Sequence, residues 1–147
     1  MTEKKGTAKK SRRKSREFAL KGLYQWKLTG AEVSDIEQHL AEDPAFKQAD
    51  DVHFRALLSG VIAHAPALDQ QLATHLDRPA NELSPIEHAI LLLAAFELVH
   101  HPEIPYRVVI NEAVELAKSY GGTDGHKYVN GVVDKLAATV RAVEIKG

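Results

Sequence analysis

Cysteine is absent from these 147 residues. Disulfides, thiolate metal sites and cysteine nucleophiles are thereby excluded, and the composition suits a reducing cytoplasm. Long apolar runs are absent too. The longest, Ala89–Phe96, has eight residues. It would span about 12 Å as a helix, against the ~30 Å hydrocarbon thickness of a bilayer. It reads as a core helix, and no membrane span is expected. The basic first residues are not followed by an apolar stretch, so no secretory signal is read. They also lack the amphipathic face of an organellar transit peptide.

Signatures of catalysis are missing as well. No phosphate-loop pattern, dinucleotide-binding GxGxxG, nucleophile-elbow GxSxG or zinc-binding HExxH occurs. Eight histidines are present, but His100 and His101 are neighbours that diverge on a helix, and no i, i+4 pair shares a helix face. Neither metal nor cofactor is expected. The carboxylates are spread along exposed faces, as solvation requires. Glu97 is the exception, set between Phe96 and Leu98. It reads as a semi-buried acid with a hydrogen-bond partner rather than as a catalytic group. Nothing in the chain argues for an enzyme.

What is there is an uneven distribution of charge. Residues 1–17 carry eight lysines and arginines against Glu3 and Glu17, a surplus of six positive charges. The remaining residues are acidic enough to bring the whole chain to −1. A flexible basic arm over residues 1–15 on an acidic body over 16–147 reads as a device for binding a polyanion, nucleic acid before others. The competing reading is a tail that only keeps the protein soluble. The arm runs into Phe18, Tyr24 and Trp26, and cations beside exposed rings suit single-stranded nucleic acid. Phe18 and Trp26 fit core positions better, whereas amphipathic Tyr24 can show its ring edge at the surface.

The body is helical throughout. Leu20, Leu23, Tyr24 and Lys27 recur at helical spacing, and Gly30 ends that helix. Ser34 and Glu37 form a capping-box pattern for a short helix that fades at Asp43-Pro44. Asp50 or Asp51 opens a longer one, which Pro66 kinks or splits. Ser84-Pro85-Ile86-Glu87 is the strongest start signal, with a capping serine, proline in the first turn and glutamate after it. The helix that follows is apolar nearly all round and is predicted to be central. Gly121-Gly122 end the next helix, and Asp124 can cap the last. Gly60 and Gly131 interrupt helical stripes and are read as close helix–helix approaches. No alternating strand pattern is found. The predicted fold is all-α, a compact bundle of about seven helices with a disordered basic arm.

Several stretches resemble a known family. Arg12-Arg13-Lys14-Ser15-Arg16-Glu17, running on through Ala19-Leu20-Lys21-Gly22-Leu23-Tyr24-Gln25-Trp26, is similar to the opening of the bacterial transcription antitermination factors of the NusB family. So are Glu82–Leu91, Ile104–Lys118 and Lys127–Lys135, in the family's order and spacing over about residues 11–140. The resemblance implies two packed helical sub-bundles and a scaffold rather than a catalyst. It implies binding of the boxA element, a single-stranded RNA of ribosomal RNA leader transcripts. It further implies a complex with NusE, the tenth small-subunit ribosomal protein, within a Nus complex on RNA polymerase. By matching positions, it places RNA contacts on Arg12, Arg13, Arg16, Tyr24, His75, Arg78, Asp124, Lys127 and Tyr128, and a NusE contact on Glu87. Three positions depart from the pattern. His75 stands where some relatives carry tyrosine, Tyr128 replaces the more usual phenylalanine, and Leu92 stands where many carry arginine. Two other readings compete: a helical protein–protein adaptor, homodimeric when free, and the RNA-binding module of an rRNA-modifying system.

Overall fold

A computed structural model describes residues 10–147. Lys4, Lys5 and Lys9 of the basic arm lie outside the described residues. Among those described there are seven α-helices: α1 Arg12–Thr29, α2 Val33–Ala41, α3 Asp51–Ala73, α4 Pro85–His100, α5 Tyr106–Tyr120, α6 Gly125–Val140 and α7 Ala142–Lys146. Short 3-10 helices occupy Pro44–Gln48 and Ala80–Glu82. The chain divides into two compact units between Leu58 and Ser59, within α3. The predicted all-helical class is observed.

The first unit is built on α1. Its start differs from expectation, because Arg12, Arg13 and Lys14 are helical rather than part of an arm. The reason is local. The Ser11 hydroxyl accepts the Lys14 N–H at 3.0 Å, and the Ser11 backbone bridges Gln48 and Asp50. Ser15 is fully buried and donates to the Asp50 carbonyl at 2.7 Å. Phe18, Leu20 and Leu23 face inward with Ile36, Leu40 and Phe54. Phe46 meets Phe18 and Phe54 edge to face, at 5.1 and 5.0 Å between centroids. Trp26 is half-buried rather than core. Gly30 ends α1 in the left-handed region (φ 68°), where a side chain would be strained. The expected capping box at Ser34 is not formed. Val33 already opens α2, Glu32 holds the cap position without a side-chain bond, and Ser34 falls inside the first turn.

In the second unit α4 is the axis. Every residue from Ala89 to Leu98 is buried, including Glu97 at 2% exposure. Ser84 caps α4 by accepting the Glu87 N–H at 3.1 Å, with Pro85 in the first turn, as predicted. α4, α5 and α6 pack pairwise on one another. α3 continues through Pro66 without a break. Gly60 has the close neighbour expected of it, since a Cβ there would lie inside 3.0 Å of three Phe96 ring atoms. Gly131 does not. It is exposed, with nothing within 4 Å of the same position. The carboxyl end of α4 is closed from afar by buried Arg141, which donates to the carbonyls of Leu98 (2.8 Å), His101 (3.0 Å) and Glu97 (3.4 Å). Its other terminal nitrogen pairs with Glu144, whose second oxygen accepts the Tyr106 N–H at 3.0 Å.

Candidate nucleic-acid interface

The residues expected to touch RNA fall in both units, and each group is described on its own. On α1, Arg12 and Arg13 are exposed in the first turn. Arg12 Nε lies 3.8 Å from Asp50 Oδ2, a loose and solvated pair worth little to stability. Tyr24 is 37% exposed, as its amphipathic character predicts. Arg16 departs from expectation. It is 5% exposed and already engaged in an interaction of its own. An arginine taken inside needs its protein partners to offset lost hydration, so its head is not presented to a phosphate. Arg16 is thus a packing residue, and of the three arginines of α1 expected to touch RNA the exposed ones are Arg12 and Arg13.

In the second unit the loop after α3 and the start of α6 bring three side chains together. Arg78 Nε and Nη2 donate to the two carboxylate oxygens of Asp77, at 2.6 and 3.0 Å. The Arg78 guanidinium lies 4.8 Å from the centroid of the Tyr128 ring, within cation–π range. The Asp77 backbone N–H donates to the Tyr128 hydroxyl at 3.2 Å. Asp77, Arg78 and Tyr128 therefore form a closed triangle. The electrostatics follow. Hydrogen bonds from Arg78 hold the Asp77 carboxyl below the ordinary carboxylate range, and the same contact raises Arg78 further. Partial burial pushes the Tyr128 phenol up. His75 is half-buried in the same loop, its N–H donating to the Leu72 carbonyl at 2.9 Å.

Asp124 occupies the position before α6, but its side chain does not cap the helix. Its carboxylate lies 3.6 Å from Lys127 Nζ, and both side chains are well exposed. Glu87 comes from the first turn of α4, and its carboxylate rests against Gly122 and Gly125. A Cβ on Gly125 would fall inside 3.0 Å of that carboxylate. Glycine at the first position of α6 is thus what lets Glu87 reach the amino end of the helix, where a negative charge is favoured. Glu87 also contributes, weakly, to raising Arg78. The residue expected to meet a protein partner and those expected to meet RNA are neighbours in this unit.

Two participants escaped the sequence reading. Asp77 reads as one more surface acid, although its adjacency to Arg78 was a visible signal. Gly125 carried no signal, because its role depends on where α4 delivers Glu87. Among the described residues no group of three histidines or acids is gathered as metal ligands would be. Nor is any described helix long and apolar enough to cross a membrane.

Comparison with known proteins sharpens the picture. Residues 13–138 match the sequence profile of the NusB family. A transcription antitermination protein NusB from Nitrosomonas eutropha is 56% identical over 138 residues, covering 94% of this chain and 83% of that protein. Among solved structures, T. maritima NusB superposes with a TM-score of 0.78 at 31% identity, covering 89% of this chain and 93% of that one. A chain from a structure of the antitermination factors NusB and NusE in complex with double-stranded RNA superposes with a TM-score of 0.76. At 24% identity, over 85% of this chain and 94% of that one, this last likeness concerns the fold alone.

Proposed function

The chain belongs to the NusB family, and on that premise we propose that it is a transcription antitermination factor that works by binding RNA and protein, not by catalysis. The RNA is the single-stranded boxA element of ribosomal RNA leader transcripts. The protein partner is NusE, and both are held in a Nus complex on RNA polymerase in the cytoplasm. The observation that carries this reading is that each unit presents cations and an aromatic side chain: exposed Arg12, Arg13 and Tyr24 on α1, and exposed Arg78 and Lys127 with half-buried Tyr128, over whose ring Arg78 lies.

The physical roles divide accordingly. Arg12, Arg13, Arg78 and Lys127 meet phosphates and set affinity and position, because phosphate contacts carry no sequence information. Tyr24 and Tyr128 offer flat faces to unstacked bases, each worth about 1–3 kcal/mol. His75 offers a smaller ring, and Asp124 accepts hydrogen bonds from a base amine or a ribose hydroxyl. Glu87 lies on the face that meets NusE, where a negative charge speeds encounter with a basic ribosomal protein.

Filter binding to a boxA-like RNA, with and without NusE, tests the proposal against an unrelated RNA of equal length. With roughly four phosphates neutralised, log K falls with log salt at a slope near −3, and NusE strengthens retention of the boxA-like strand. A flat salt dependence, or equal retention of both strands in the presence of NusE, refutes it.

A further inference from the structure

We infer that Asp77 is a restraining residue that competes with phosphate for Arg78, so that a strand entering this site displaces the carboxylate and bares the Tyr128 ring in one movement. The inference rests on the reading of Arg78 and Tyr128 as RNA contacts. The free protein holds both groups in use. The Nε–Nη2 edge of the Arg78 guanidinium is taken by two oxygens of Asp77 at 2.6 and 3.0 Å, and one face of the Tyr128 ring is covered by the guanidinium at 4.8 Å. A phosphate presents the same fork-matching pair of oxygens as a carboxylate. A ligand made only of phosphates therefore exchanges one anion for another at Arg78 and gains little. A single-stranded RNA gains more, because moving Arg78 off Asp77 also bares the Tyr128 face for stacking. Tyr128 stays positioned throughout by the Asp77 backbone N–H at 3.2 Å, which no side-chain exchange removes.

The test is Asp77→Asn, which keeps that N–H and the side-chain size and removes the charge. It is measured in the wild-type and Arg78→Ala backgrounds, with a single-stranded RNA and with inorganic polyphosphate as probes. Melting curves confirm that each variant folds. Asp77→Asn is expected to tighten RNA binding about two- to five-fold, the range for releasing an exposed ion pair, and polyphosphate binding by no more than that. Both effects vanish in the Arg78→Ala background. Equal tightening in both backgrounds would mean that Asp77 merely repels phosphate and would overturn the inference. So would RNA binding by the Asp77→Asn protein no tighter than wild type's. If instead Arg78→Ala and Tyr128→Ala leave RNA binding at the wild-type level, it is the assignment of this site to RNA that fails.

Discussion

Gly60 and Gly131 both interrupt helical stripes, yet the same substitution at each is expected to act with opposite sign. Replacing a helix-interior glycine by alanine gains about 1 kcal/mol in backbone preference. At Gly131 nothing lies within 4 Å of the new methyl group, so the gain stands alone. At Gly60 the methyl falls inside 3.0 Å of three Phe96 ring atoms, where ordinary carbon contacts lie near 3.5–4.0 Å. The ring has little room to retreat. His100 stacks on it at 4.7 Å, and the His101 and His64 rings lie at 5.5 and 6.1 Å. Overpacking of this kind costs about 1–3 kcal/mol, and three overlapped atoms place it in the upper half of that range. The net loss at Gly60 is then about 1–2 kcal/mol. At roughly 3 °C per kcal/mol for a chain of this size, Gly131→Ala melts about 3 °C above wild type and Gly60→Ala about 3–6 °C below. Thermal melts followed by circular dichroism, with urea titrations checking that m is unchanged, read the difference. A Gly60→Ala protein as stable as Gly131→Ala would refute the packing argument.

Three further outcomes are expected. Arg12→Ala and Arg13→Ala weaken RNA retention and leave the melting temperature unchanged, whereas Arg16→Ala lowers it by breaking contacts made by a buried charge, at about 1–3 kcal/mol; equal melting temperatures would return Arg16 to the surface. Gly125→Ala leaves stability within about 0.5 kcal/mol, because the Glu87 carboxylate can swing aside, but slows association with NusE in surface plasmon resonance; unchanged kinetics would discard the seat described for Glu87. The third concerns acid. Burial, and then the charges of His64 and His101, hold the His100 imidazole below its ordinary value of 6.5. The unfolded chain takes up this proton first, so stability declines as pH falls from about 6.5 through the depressed value. His100→Gln flattens the melting-temperature decline between about pH 7 and pH 5, and a decline as steep as wild type's would remove His100 from the account.

Local signals were the legible ones. Ser84, Pro85 and Glu87 sit within one turn and settle the start of α4 among themselves. Gly30 ends α1 by its own conformation, and the unbroken apolar run of α4 announces a helix enclosed on several sides. The misreadings share a different cause. Ser34 lost its capping role to a start two residues earlier than the pattern implied, and capping is sensitive to a single position. Arg12 to Lys14 look like arm because their anchors, Gln48 and Asp50, come from far along the chain. Arg141 closes α4 across more than forty positions, and no periodicity reports such a bond. In the candidate site, the family's motif positions pointed to Arg78 and Tyr128, which the fold brings into contact. That Asp77 already occupies Arg78 depends on how the loop after α3 folds back onto α6.

The half-buried position of Trp26 has a practical consequence. It is the only tryptophan in the chain and lies on the helix that carries Arg12, Arg13 and Tyr24. Selective excitation of the indole therefore yields an intrinsic emission signal from this helix alone, without any attached dye. A ring neither sealed in nor fully hydrated responds in wavelength when its surroundings change. RNA settling on α1 can thus be followed in real time, separately from events at Tyr128, whose phenol stays dark under that illumination.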